Sequence, residues 1–137
     1  MRAEGLILKI RKAIEARREV AFAYVHGSIL DSDDPRDVDI ALYLDEEAFE
    51  TLRRSGRLSL DFVIPLEMEL EKVLGRRVDL QVLNQAPLSF RARVVSQGKV
   101  VVDSDSTARS DFEYLARYEY FDFRSRREAY LAEVAGS

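Results

Sequence analysis

No cysteine occurs among the 137 residues of the chain. Without thiols there is no disulfide framework, no thiolate zinc site and no iron–sulfur cluster, and the composition suits a reducing, cytoplasmic setting. Histidine is nearly absent too: His26 is the single one. Paired-histidine metalloprotease motifs and multi-His metal centres are thereby excluded, so any metal must be held by oxygen. No apolar run is long enough for a membrane span or a signal peptide, and the first residues, Met1 to Gly5 followed by Leu6-Ile7-Leu8, fit neither. Positive charge is not in excess either, since the net charge is −4, which argues against direct nucleic-acid binding. Repeats and Gly- or Pro-rich linkers are missing as well, and the length suits one domain with one core. What is present is 47% hydrophobic and 34% charged residues, the balance of a globular fold whose chemistry must run on carboxylates.

Hydrophobic spacing predicts the elements. Leu6, Ile10, Ala13 and Ile14 recur at helical intervals, so 4–18 reads as an amphipathic helix. Val20 to Val25 is short, apolar and β-prone, and Gly27 ends it. An acidic loop, Asp31 to Arg36, leads to a second strand, Asp37 to Leu44, in which Val38, Ile40 and Leu42 alternate with Asp37, Asp39 and Ala41. Residues 46–54 read as helix, and a further helix carries Leu66, Leu70, Val73 and Leu74, with Pro65 in its first turn and Gly75 at its end. Then come a strand from Arg77 to Leu83, a helix started by Pro87 and running to about Ser96, a short strand from Lys99 to Val102, and a helical block from Ser106 onward. Strands alternating with helices predict an α/β (α+β) fold, a small mixed β-sheet flanked by helices.

Asp37 and Asp39 are the sharpest chemical signal. Residues i and i+2 of a strand project to one face, roughly 6.5 to 7 Å apart, so two carboxylates converge on one cation. Two hard oxygen ligands on a rigid element suit Mg²⁺, with waters and substrate phosphates completing its octahedron. Asp79 offers a third carboxylate if its strand lies beside the first, as metal ligand or as general base for a hydroxyl. Gly27-Ser28, directly after an apolar strand, allows close backbone approach and offers a hydroxyl and backbone N–H groups to phosphate oxygens. Asp31 to Arg36 is no calcium loop, because Arg36 replaces the glycine of the sixth position and Leu42 the glutamate of the twelfth. Isolated His26 reads as a structural residue beside the loop, and the pairs Arg53-Arg54, Arg76-Arg77 and Arg126-Arg127 as solvated surface.

A strand, Gly-Ser, a loop and a strand with D-x-D resemble the opening of the polymerase-β-like nucleotidyltransferases, and in particular the minimal nucleotidyltransferase (MNT) domain proteins. The resemblance runs through the first helix, His26-Gly27-Ser28, Asp37-Val38-Asp39, Arg77-Val78-Asp79-Leu80, Leu83 to Pro87 and Gln97-Gly98-Lys99. It implies that Gly27 and Ser28 hold nucleotide phosphates and that Asp37, Asp39 and Asp79 form the catalytic, Mg²⁺-binding set. It further implies transfer of AMP from ATP to a hydroxyl, typically a tyrosine, of a HEPN-type toxin that the protein neutralises as an antitoxin. The expected organisation is a minimal nucleotidyltransferase domain over 1–104 and an aromatic-rich C-terminal helix over 105–137, packed on the same domain or on a partner. A chain of this length leaves little room for an acceptor-binding domain, so the acceptor site is expected to be shared in a hetero-oligomer, with a homodimer as the alternative when alone. Only eight residues separate Ser28 from Asp37, fewer than is usual in the family, and Asp31 stands where a basic residue is frequent. These departures carry the alternative, a non-catalytic module of the same fold that neutralises the toxin by contact.

Overall fold

The amphipathic pattern at the N-terminus forms α1 (Ala3–Glu15), with Leu6, Ile10 and Ile14 wholly buried along one stripe. Each such side chain contributes roughly 1.5–3 kcal/mol by leaving water. This computed structural model describes residues 2–136, so Met1 and Ser137, the outer ends of the two expected segments, lie outside the described residues. Strand β1 (Val20–His26) follows, then a tight 3₁₀ turn over Gly27–Leu30 and β2 (Asp37–Leu44). Helix α2 (Glu46–Arg54) starts where the Asp45 carboxylate accepts from the Ala48 N–H at 3.2 Å. A wide π-type turn, Leu58–Val63, which the spacing did not foretell, delivers buried Leu58 and Phe62 to the core before α3 (Ile64–Leu74). Then come β3 (Arg77–Val82), α4 (Leu88–Gln97), with Pro87 capping it from outside, β4 (Lys99–Asp103) and α5 (Ser106–Gly136).

The four strands lie in the order β3-β2-β1-β4. β1 runs antiparallel to β2 and β4, while β2 and β3 are parallel, so the sheet is mixed as expected. Parallel neighbours need a crossover, and α2 and α3 supply it. Period-two alternation then divides the side chains between two layers. Val38, Ile40, Leu42 and Leu44 join Ala23, Val25 and the buried residues of α1 and α3 in the larger core. On the opposite face Phe22, Tyr24 and Ala41 pack with Val94 and Val95 of α4 and with Phe112 and Ala116 of α5. An irregularity in the β1–β2 register between Val20 and Phe22 puts the adjacent Ala21 and Phe22 in that second cluster.

Two polar devices secure the edge and end of the sheet. β3 is an edge strand, and α3 covers it: Leu80 N–H donates to Glu67 Oε2 at 2.9 Å and Val78 N–H to Glu71 Oε2 at 3.2 Å. Asn84 pairs with the backbone of Leu44 in both directions, at 2.8 and 2.9 Å, and so closes the end of β2 as a further strand would. The first half of α5 is anchored. Phe112 lies 5.4 Å from the ring of Phe22 and 5.2 Å from that of Tyr43, and the Tyr24 hydroxyl donates to Glu113 at 2.7 Å. Beyond Ala116 no described residue of α5 is buried, and Phe121, Phe123, Tyr130 and Leu131 stand in the open.

Candidate functional site

The aspartates sit on the face of the sheet that α4 only partly covers. β2 presents Asp37, Asp39, Ala41 and Tyr43 to that side by alternation, and β3 presents Asp79. The pairing puts His26 opposite Asp39, and Asp39 opposite Asp79, so three neighbouring strands carry a His–Asp–Asp row across one end of the sheet. A cleft of about 590 Å³ opens over this row. Gly27, Asp31, Asp39, Asp79 and His26 line one side, and Phe90, Arg93, Val94 and Gln97 of α4 line the other. The i, i+3, i+4 and i+7 spacing of these α4 residues is that of a single helix face.

Gly27 is required here. Its φ is +77°, and a Cβ at this position would overlap Oδ2 of Asp39. Only glycine therefore combines the left-handed backbone of the turn with the close approach of the Asp39 carboxylate. Ser28 donates its hydroxyl to the Asp37 carbonyl at 3.4 Å, which ties the turn to the start of β2. Asp79 accepts from the Gln81 side-chain amide at 3.2 Å. Asp37 is exposed and borders a neighbouring shallow concavity with Arg36, Arg76 and Arg77. Thus Gly27, Asp39 and Asp79 meet on one cleft, while Ser28 and Asp37 flank it. Among the described residues no three acidic or imidazole side chains come close enough to cage a metal ion.

His26 is more than a bystander of the loop. It lines the cleft, and its ring meets Phe90 edge-on at 5.5 Å. Its Nε2 is buried with no hydrogen-bond partner, and burial holds its pKa below the usual imidazole value. The Asp39 carboxylate pulls that value up again, Arg93 pushes it down, and Asp79 pulls it up. A neutral imidazole is what such a half-buried wall residue needs.

Two arginines depart from their sequence-based expectation or were missed. Arg76 is no solvated surface group: its Nε donates to the Pro35 carbonyl at 2.8 Å and its guanidinium meets Asp34 at 2.5 Å. It pins the acidic loop through Asp34, which borders the neighbouring concavity with Asp37. Asp31 remains on the cleft wall. Arg93, with its guanidinium 5.3 Å above the Phe90 ring, is the cation facing the aspartates. Its sequence signal was faint, one of two arginines between Phe90 and Gln97 and the one that shares their helix face, and only the placement of α4 over the row gives it meaning.

The polymerase beta nucleotidyltransferase family model matches residues 8–107. No curated protein matches the sequence. Among solved structures, one chain in the complex of tri-AMPylated Shewanella oneidensis HEPN toxin with MNT antitoxin superposes with a TM-score of 0.68 at 22% identity, covering 97% of this chain and 98% of that one. A chain of a toxin–antitoxin complex with AMP-PNP superposes with a TM-score of 0.66 at 23% identity, covering 96% and 98%. One from the MntA–HepT toxin–antitoxin complex gives 0.63 at 21%, covering 96% and 98%. At these identities the superpositions establish the shared fold. The family match spans the 3₁₀ turn, both aspartate strands and α4, so the chain belongs to the polymerase beta nucleotidyltransferase family.

Proposed function

We propose that the protein transfers AMP from ATP to a hydroxyl, a tyrosine by preference, of a HEPN-type toxin, and acts as its antitoxin. The observation that carries this is the His26–Asp39–Asp79 row under a cleft whose rim turn is bared of a Cβ at Gly27. The complexes similar in fold, one with a tri-AMPylated HEPN toxin and one with AMP-PNP, supply the acceptor class and the nucleotide.

The donor set fits Mg²⁺. It is all oxygen, and Mg²⁺ is commonly held by one or two carboxylates with phosphates and water rather than by a closed protein cage, so substrate would complete the site. Asp39 and Asp79 within the cleft, with Asp37 at its flank, would hold the ion, which when bound would neutralise charge on the phosphates. Gly27 and Ser28 present backbone and hydroxyl donors to the triphosphate, and Arg93 offsets negative charge from the α4 side. Asp79, on the outer strand of the row, orients the acceptor hydroxyl and takes its proton. The acceptor oxygen then bonds to the α-phosphorus, the bond from that phosphorus to the bridging oxygen breaks, and pyrophosphate leaves with the electron pair.

The test is incubation of purified protein with ATP, Mg²⁺ and its cognate toxin, read as label on the toxin. Asp37→Ala plus Asp39→Ala should lower labelling roughly 10²-fold or more. Equal labelling by that variant, or none by the wild type with the genuine partner, would overturn the proposal. Neutralisation by contact alone is the second reading, favoured by Asp31 on the cleft wall. Calorimetry separates the two, since a contact-only module would not bind ATP with Mg²⁺.

A further inference from the structure

A second concavity, of about 720 Å³, runs between α4 and α5. It shares Phe90, Arg93 and Gln97 with the aspartate cleft, so the two adjoin along that side of α4. Arg117, Tyr120 and Arg124 of α5 form its far wall. No carboxylate lines it, although the chain as a whole is acidic at −4. Three guanidinium groups beside aromatic rings are therefore a local inversion of charge at the mouth of a negative cleft. Arg93 lies over Phe90, and Arg124 leans on Glu128 at 3.4 Å, a solvent-exposed pair that a better anion can displace. Arginine and aromatic side chains are the groups that carry binding energy at protein interfaces.

We infer that this groove seats the partner segment that presents the acceptor hydroxyl, and that the segment is an acidic peptide with an aromatic residue. The inference rests on the transferase proposal for the direction of the segment, whose hydroxyl enters the cleft past Phe90 and Arg93. Charge complementarity selects the occupant: carboxylates of the segment pair with Arg117 and Arg124, and its ring packs on Tyr120. A single-stranded RNA would satisfy the same arginines and rings, but its backbone would run into Asp31, Asp39 and Asp79 at the cleft end. A peptide carries its charge only where its sequence puts it. The groove thus supplies within this chain part of an acceptor site, built from the half of α5 that leaves the core.

The experiment uses the full chain, its purified toxin partner, AMP-PNP with Mg²⁺, and a single-stranded RNA oligomer. Arg117→Glu plus Arg124→Glu should weaken partner binding by calorimetry at least tenfold and raise KM for the partner more than it lowers kcat. Affinity for AMP-PNP with Mg²⁺ should hold, and Arg117→Lys plus Arg124→Lys should restore most of the loss. Thermal melts of both variants show that the fold is kept. Unchanged partner affinity in the Glu variant overturns the inference. So does a matching fall in AMP-PNP affinity, which would make the groove a nucleotide subsite, and so does RNA binding by the wild type that the Glu variant abolishes. If the wild type binds partner but transfers no AMP, the transferase proposal falls; the groove still stands provided the Glu variant loses partner affinity.

Discussion

Gly27→Ala separates backbone strain from carboxylate placement when compared with Gly56→Ala. Both glycines have positive φ, +77° and +69°, but a Cβ at Gly56 meets nothing within 4 Å whereas one at Gly27 overlaps Asp39 Oδ2. The left-handed backbone costs an alanine about 1–2 kcal/mol, and the stiffer unfolded chain returns about 0.4–1 kcal/mol. Gly56→Ala should therefore lose about 1 kcal/mol, or about 3–4 °C in Tm for a chain of 137 residues at ~2.1 cal/mol/K per residue. At Gly27 the Asp39 carboxylate must also leave its rotamer well, adding about 1 kcal/mol and bringing the total to about 7 °C. The activity difference should be far larger. A displacement of about 1 Å at a reacting centre costs ~10²-fold, so Gly27→Ala should transfer AMP at about a hundredth of the wild-type rate while Gly56→Ala stays within about twofold. Differential scanning calorimetry and toxin labelling measure both. Equal labelling by the two variants would refute the claim that Gly27 is there to admit Asp39.

Arg76→Ala should cost about 1–2 kcal/mol, because it leaves the Pro35 carbonyl and Asp34 without their donor, and should speed amide exchange across Asp31 to Arg36; unchanged exchange there would dismiss Arg76 as the clamp of that loop. Burial and the neighbouring Glu113 raise the Tyr24 phenol well above its usual value, and burial with Glu46 does the same for Tyr43. A raised pKa in the folded state means that stability is complete below about pH 10 and falls as pH climbs further, since the unfolded chain then releases protons that the folded one keeps. Tyr24→Phe plus Tyr43→Phe should flatten that alkaline fall in urea titrations taken at several pH values, and an undiminished slope would rule out both phenols as its source.

The order of elements was legible in the sequence because helix and strand periods are local properties of a dozen residues. Asp37 to Leu44 and Glu46 to Arg54 come out with the boundaries expected, and the alternation in β2 alone sends Asp37 and Asp39 to one face. The Gly-Ser turn and D-x-D pair carried the family resemblance for the same reason, since their chemistry lies within short stretches of chain. The rest depended on which distant segments touch. Asp79 faces Asp39 only because β3 lies parallel beside β2 in one register, a pairing across 40 residues that no local pattern encodes. Arg76 joins the acidic loop 42 residues away, and Arg93 confronts the aspartates only once α4 lies over their row. Helix α5 was recognisable as a helix, but its many aromatic residues do not by themselves say which are core. Packing decided that: Phe112 and Ala116 fill the gap over Phe22 and Tyr24, and the helix then outruns the sheet that could bury it. Local periodicity therefore determined the parts and their faces, while long-range pairing and the limited area of a four-stranded sheet decided which carboxylates meet and which rings stay in the open.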